Sequence, residues 1–254
     1  MPRRVRLDAE LVARGFFSCV DDAMRAVMAG EVSTSDRRLT QPGEQVKPGI
    51  ELHVRGRKAY ASRGGLKLEH GLEALDVDPT GCACVDVGCS TGGFTDCLLQ
   101  HGAAHVLSVD VGRAQFDWAL RQDSRVTLLE QTNIMDVPAM PGYAHAYDLA
   151  VCDVSFTSVV TVLPAVVALL APGGSFLTLV KPQFEAPREC VGEGGIVRDE
   201  QVRLDALARV SRAMEEAGFV LVGSCESPIT GHKGNVEYLL LGTLPLDAPS
   251  VRRV

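Results

Sequence analysis

No stretch of this sequence is both long and apolar enough to cross a bilayer. The longest apolar run, around Val159 to Ala171, is interrupted by Thr161 and Pro164 and falls short of the ~20 residues that a spanning helix needs. The opening residues, MPRRVRLDAEL, carry basic side chains with no apolar segment behind them, which is not the pattern of a secretory signal peptide. The eight cysteines include no C-x-x-C pair, and Cys82, Cys84, Cys89, Cys97 and Cys152 fall in apolar strand-like or helix-like surroundings. These absences predict a cytoplasmic protein with reduced, buried thiols and argue against a disulfide scaffold. Internal repeats and low-complexity tracts are missing too, which excludes a solenoid.

What is present fits a globular protein with one large domain or two unequal ones: 254 residues, 46% hydrophobic and 22% charged. The net charge of −7 argues against a nucleic-acid partner until its distribution is considered. Residues 1–60 carry 11 Lys+Arg against 8 Asp+Glu, leaving 14 against 24 for the remainder. A slightly basic head sits on an acidic body, as a solvated face or a nucleic-acid contact would require.

Residues 1–60 read as a small α+β domain. RLDAELVARGF puts Leu7, Leu11 and Val12 at helical spacing with Gly15 as the stop; SCVDDAMRAVMAGEVS has Ser18 as N-cap, Ala23, Val27 and Met28 on one face and Gly30 as the stop. Short strand-like pieces follow, ending in GIELHV. So small a unit buries little core. Residues 61–244 form the large domain, and 245–254 a flexible tail. A helix after the flexible pair Gly64-Gly65 carries Leu66, Leu68, Leu72 and Leu75, and from Cys82 onward strands alternate with helices. That alternation predicts an α/β fold with a mostly parallel sheet covered on both faces. Such sheets bind ligands beyond the carboxyl ends of their strands, where strand order reverses.

VDVGCSTGGFT (85–95) joins the first strand of this domain to its first helix. It lacks the Lys-Ser/Thr pair of a P-loop, and its second glycine falls one residue late for G-x-G-x-x-G. Asp86 places an acid in the loop, where a pyrophosphate would be repelled. An acid there suits a ligand with a cationic part, such as S-adenosylmethionine (SAM). The candidate cofactor residues are Asp86, Gly88, Ser90, Thr91, Gly92, Gly93 and Phe94 of the loop, then Asp110 and Val111 at the end of the next strand, Asn133, and Asp153. Asp110 occupies the position of a ribose-binding acid, and Asn133 is placed to meet the adenine. An ordinary strand-turn-helix with a surface acid is the plainer reading.

Four polar residues converge on one rim in this layout: Lys67, Asp153, Lys181 and Glu237. Separately, Lys67 and Glu237 read as solvated and Asp153 as a helix cap. Lys181 is harder to dismiss, because it ends the buried strand FLTLV and Pro182 restricts its backbone to extended conformations. A ribose 2′-hydroxyl attacking a sulfonium methyl must lose its proton. A lysine at its ordinary pKa is neutral in only roughly one molecule in a few thousand at neutral pH. A second cation such as Lys67 nearby, with partial desolvation, would lower that pKa and make Lys181 a general base, with Asp153 and Glu237 orienting the ammonium groups. DVSF also lacks the prolines of the N/D-P-P-Y/F loop that serves amino-nitrogen methylation.

The set Lys67, Asp153, Lys181, Glu237 resembles the K-D-K-E tetrad of the FtsJ-like RNA 2′-O-methyltransferases. SRGGLKL, DVGCSTGGFTD, CDVSF, VKPQFE and GNVEYLL together are similar to the TlyA family, and RLDAELVARGF with AMRAVMAGEV to its N-terminal RNA-binding domain, named for ribosomal protein S-four. The resemblance implies a Rossmann-like class I SAM-dependent methyltransferase fold, a seven-stranded sheet with the last strand antiparallel. It further implies methyl transfer to cytidine 2′-hydroxyls of ribosomal RNA, with ribosomal RNA or ribosomal subunits as partners. It also brings in a name meaning hemolysin that some members carry. Arg3, Arg4, Arg6, Arg14 and Arg25, with Arg37 and Arg38, are the candidate phosphate contacts. The small domain departs from the pattern at Cys19, where an arginine is common, and in VSTSDRRL, which lacks the V-x-V-N-G turn; Tyr60 replaces a linker tryptophan.

Other signals carry less. His101 and His105 have metal-pair spacing, but Gly102 ends the helix between them, so no metal is expected. The long loop KPQFEAPRECVGEGGIVRDE reads as a lid or substrate wall, and PITGHKGN offers His232 and Lys233 to RNA. A membrane-damaging hemolysin, an RNA-binding ribosome-assembly factor with little catalysis, and a small-molecule methyltransferase remain as alternatives.

Overall fold

Hydrophobic spacing at the head of the chain folds into short elements, as its length dictates. A computed structural model describes residues 4–14, 16, 17, 19–55 and 59–246. It divides into two compact units, residues 1–62 and 63–254. The first contains β1 (Val5–Arg6), α1 (Leu7–Ala13), α2 (Val20–Met28), β2 (Val32–Ser33), β3 (Arg38–Leu39), β4 (Gln45–Val46) and β5 (His53–Val54). β1 pairs with β4, and β2 lies between β3 and β5, all antiparallel. Two-residue strands bury little, so the core is one small cluster around Leu7, Leu11, Val27, Val32 and Leu39.

α2 starts from Cys19, which is extended and gives no side-chain cap; Asp21 and Asp22 in its first turn complement the helix dipole. The expected Gly15 stop and Ser18 cap lie outside the described residues. Met28 is 60% exposed, so the sequence reading of its face is corrected. The buried stripe is Ala23, Ala26 and Val27, the i, i+3, i+4 set, and Met28 as the last residue points past it.

The second unit contains α3 (Gly64–Ala74), β6 (Ala83–Val87), α4 (Gly93–Gln100), β7 (His105–Val109), α5 (Trp118–Arg121), β8 (Val126–Leu129), β9 (Tyr147–Cys152), α6 (Leu163–Leu169), β10 (Leu170–Val180), α7 (Pro182–Glu185), α8 (Glu200–Glu216), β11 (Val220–Glu226) and β12 (Tyr238–Thr243). Gly64 and Gly65 form the first turn of α3 and are not a hinge before it. The apolar run after Ser158 does not form a single helix. A 3-10 turn spans Val159–Val162, and α6 starts afresh at Leu163, because Pro164 is tolerated only in a helix's first turn.

The seven strands run β11-β12-β10-β9-β6-β7-β8. β12 is antiparallel to both neighbours, and the other pairings are parallel. This is the mostly parallel, doubly wound sheet that the alternation predicted, with the antiparallel last strand that the resemblance implied. Strand order reverses between β6 and β9, the place where such a sheet opens a crevice. Register brings the strand ends level: Val87 pairs with Val109 and Cys152, Cys152 with Thr178, and Val180 with Tyr238. The residues that follow the parallel strand ends therefore lie along one rim with the residue that precedes β12.

Candidate active site

Two adjoining hollows open at that rim. The first, about 690 Å³, lies over the ends of β6, β7 and β9 and is lined by Gly88, Ser90, Asp110, Val111, Asn133 and Asp153 among others. Gly88 has φ 81°, and a Cβ there would sit 3.2 Å from both the Asp153 carbonyl oxygen and Val154 Cγ1; only glycine lets the two strand ends approach. Asp110 accepts N–H bonds from Ser90 (2.8 Å) and Gly112 (2.6 Å), one on each carboxylate oxygen. This ties the glycine loop to the end of β7 while leaving each oxygen a lone pair for a ligand hydroxyl. Asn133 spends its carboxamide oxygen on Met135 N (3.0 Å), capping the short turn Ile134–Ala139.

Other residues of the glycine loop stand behind this cleft. Gly92, at φ 92°, opens α4; a Cβ there would lie 2.6 Å from Leu120 Cδ1. Its smallness serves the packing of α5. Gly93 and Phe94 are buried in the first turn of α4, and the Thr91 carbonyl accepts Asp117 N at 3.2 Å. Asp86 is not in the loop: it lies on β6, fully buried. Its Oδ2 accepts from Thr95 Oγ1 (2.7 Å), which also meets Ser108 Oγ at 2.7 Å, while Oδ1 has no hydrogen-bond partner among the described residues. Burial pushes this carboxyl up to about 7 despite the Thr95 bond. An orphaned buried carboxylate oxygen is an invitation to a donor. Among the described residues, the charged ones lining the cleft are Asp110 and Asp153, so a cationic ligand is favoured there and a pyrophosphate is not. The size and charge of the cleft suit SAM.

The four rim residues meet as two ion pairs. Lys67, from α3, reaches Glu237 Oε2 at 2.5 Å, with both side chains almost wholly buried. Lys181 Nζ is 2.5 Å from Asp153 Oδ1 and donates to Ser155 Oγ at 2.8 Å. Lys67, Lys181 and Glu237 line a second hollow of about 390 Å³, which shares Ser155 and Phe156 with the cleft. Segment 153–156 is thus a common wall, with the cleft on one side and the paired lysines on the other. Each lysine has its own carboxylate, so the cluster is close to charge-balanced.

Several further residues shape this site, and of these the sequence reading singled out only Lys233. Phe156 is 92% exposed at φ 64°, with its ring centroid 5.4 Å from that of Phe184. A large apolar side chain held out in the left-handed region is strained and costly, the mark of a functional position. Gly231 packs so closely that a Cβ would fall 1.9 Å from Glu237 Oε1. Lys233, at φ 58°, lines the second hollow beside Gly194 and Gly195. Asn235 accepts Val197 N and donates to the Gly195 carbonyl, which holds the long loop after α7 against that hollow.

Five of the candidate phosphate contacts of the first unit are engaged locally. Arg4 donates to the Gln45 carbonyl, Arg6 pairs with Asp8, Arg14 donates to the Ile50 carbonyl, and Arg25 pairs with Asp22. Arg37 pairs with Glu44, and Arg3 lies outside the described residues. His101 caps the C-terminal end of α4 and donates its Nδ1–H to the Cys97 carbonyl at 2.8 Å, whereas His105 opens β7 and meets Thr127. The two imidazoles share no helical face. Among the described residues no helix is long and apolar enough to cross a membrane.

Comparison with known families matches residues 60–243 to the FtsJ-like methyltransferase profile. The Bacillus subtilis rRNA methyltransferase candidate YqxC is 45% identical over 239 residues, 94% of this chain and 85% of that protein. The 16S/23S rRNA (cytidine-2′-O)-methyltransferase TlyA of Mycobacterium tuberculosis is 42% identical over 242 residues, 94% of this chain and 90% of its own. A solved hemolysin candidate from Streptococcus thermophilus superposes with a TM-score of 0.71 at 39% identity, covering 99% of this chain and 93% of that one.

Proposed function

Because the chain belongs to the FtsJ-like methyltransferase family, and so is a SAM-dependent methyltransferase, we propose that it methylates a cytidine ribose 2′-hydroxyl in ribosomal RNA with Lys181 as proton acceptor. The observation that carries this reading is the common wall 153–156. It stands between an acid-lined cleft suited to SAM and a hollow with two lysine–carboxylate pairs. Identity of 42% to an rRNA (cytidine-2′-O)-methyltransferase, and of 45% to an rRNA methyltransferase candidate, over nearly the whole chain supports the RNA substrate.

SAM supplies an electrophilic methyl group on a sulfonium. In the second hollow Lys181, after giving up to solvent the proton it carries in its pair with Asp153, would take the proton of the attacking hydroxyl as the methyl group is transferred. The ammonium so formed faces Asp153 at 2.5 Å and is held by Ser155, which confines it to one geometry. The Lys67–Glu237 pair fixes the attacking ribose from the opposite side. Phe156 offers its exposed face to the acceptor base, and Lys233 reaches an adjoining phosphate. Asp86, through its unpaired Oδ1, would receive the ammonium of the cofactor, and Asp110 its ribose hydroxyls. Residues 1–60 would hold folded RNA by phosphates and shape, and a ribosomal substrate would be met in the cytoplasm.

Incubation with tritiated SAM and unmethylated small or large bacterial ribosomal subunits tests the reading. Label in 2′-O-methylcytidine supports it, while SAM binding without transfer to either subunit favours an assembly factor. The hemolysin alternative calls for a membrane-crossing or strongly amphipathic basic segment; no described helix has the length and apolarity to cross a membrane. Lysis of erythrocyte ghosts by the purified protein would restore it.

A further inference from the structure

Glu185 is a carboxylate that the methyl-transfer reading leaves without a task, although it is 1% exposed. It ends α7, four residues after Lys181, and lines neither hollow. Oε2 accepts Ser158 Oγ at 2.6 Å, and Oε1 accepts Val159 N at 2.7 Å. The facing cation is Arg209 of α8, whose Nη1 is 3.8 Å from Oε2 and donates instead to the Glu185 carbonyl at 2.5 Å. The carboxylate is therefore buried without a tight counter-ion, and burial raises its pKa against the pull of Ser158 and Val159.

Burying an acid this way is costly, and a turn beginning at Ser158 does not require it. Ser158 Oγ already accepts Val160 N at 3.2 Å and so caps its own turn. What Glu185 adds is a link between two segments that also meet elsewhere. Lys181 reaches Asp153 and Ser155, Phe184 lies against Phe156, and Glu185 grips Ser158 and Val159. Three consecutive tethers thus join segment 181–185 to segment 153–159. The first is the proposed proton acceptor, the second the exposed ring, and the third sits farthest from the chemistry.

We infer that Glu185 is a positioning residue, which clamps the turn starting at Lys181 to the loop starting at Asp153 and so sets the Lys181 amine against the wall shared by the two hollows. The inference rests on Lys181 as the proton acceptor. A displacement of about 1 Å at a reacting group costs on the order of a hundredfold in rate, so loss of the clamp should show in turnover more than in binding.

The test compares Glu185→Ala, Glu185→Gln and Lys181→Ala with the unaltered protein, using tritiated SAM and unmethylated bacterial ribosomal subunits, with a thermal melt for each variant. For folded Glu185→Ala the expected result is a kcat about a hundredfold lower with the KM for subunits within threefold. Glu185→Gln keeps an acceptor for Val159 N and should recover most of that loss. A kcat within threefold in folded Glu185→Ala, a loss confined to KM, or a glutamine variant as poor as alanine overturns the inference. Full activity of Lys181→Ala overturns the base assignment itself, whatever Glu185 does; inactive Lys181→Ala beside active Glu185→Ala overturns the clamp alone. Should Glu185→Ala not fold, Ser158→Ala examines the clamp from the other side: a fall of about tenfold in kcat supports it, and unchanged kcat overturns it.

Discussion

Replacing Gly231 by alanine places one methyl group where the structure has no room for it. The added carbon would fall 1.9 Å from Glu237 Oε1 and 2.4 Å from its Cδ. A carbon–oxygen contact settles at about 3.3 Å or more, so roughly 1.4 Å of separation must be found. The backbone cannot readily supply it, because Gly231 N donates to the Asn235 carbonyl at 2.8 Å and the Gly231 carbonyl accepts Gly234 N at 3.1 Å. Glu237 is 2% exposed and its other oxygen holds Lys67 at 2.5 Å. The carboxylate must swing, and the Lys67 contact goes with it. Over-packing of this kind costs about 1–3 kcal/mol of stability, and a misplacement of this size lowers turnover on the order of a hundredfold. Gly231 does not line the cofactor cleft, so the SAM dissociation constant measured by calorimetry should stay within about twofold of its original value. Methylation by the folded variant within threefold of the parent rate would refute the role given to the Lys67–Glu237 pair.

Three further outcomes are expected. Asp86 has its carboxyl raised to about 7 by burial, so the SAM-free protein keeps that proton from the ordinary carboxylate range up to near neutrality. The unfolded chain ionises first, and this group's contribution to stability therefore falls as pH rises between about 4 and 7. SAM affinity has the opposite slope, because the cofactor's ammonium needs the carboxylate: calorimetry should show tighter binding at pH 7 than at pH 5.5, and Asp86→Asn should flatten both trends. Lys233→Ala should weaken subunit binding and lower the slope of log affinity against log salt by about one, with Lys233→Gln alike and Lys233→Arg close to the parent; an unchanged slope in a salt titration would remove its phosphate role. Phe156→Ala should lose the ~1–3 kcal/mol of a base stack, seen as at least a fivefold rise in the KM for subunits with unaltered thermal stability.

The sheet and its rim were legible because parallel strands read as short apolar runs and their ends as single polar residues. Lys181 before Pro182, Asp153 after a run of apolar residues and Glu237 ahead of another could be picked out one at a time. Their pairing could not: Lys67 and Glu237 lie 170 positions apart, and only sheet order decides which carboxylate each lysine meets. Asp86 was assigned to the loop because strand ends are hard to place in sequence, while register against Ser108 and Val151 puts it inside the sheet. The glycine loop looked uniform, yet Gly88 serves the cleft and Gly92 the packing of α5. Glu185 and Gly231 gave no signal, since the first acts through Ser158 and Val159, 26 or more residues earlier, and the second by lacking a side chain.

The most direct test of the account is single-turnover methyl transfer by the unaltered protein and Lys181→Ala, using tritiated SAM, unmethylated bacterial ribosomal subunits and nuclease mapping of the product. The account predicts label in 2′-O-methylcytidine with the parent and its loss in the variant, while SAM binding by the variant persists. Equal transfer by both proteins, or label on a base nitrogen, would contradict it.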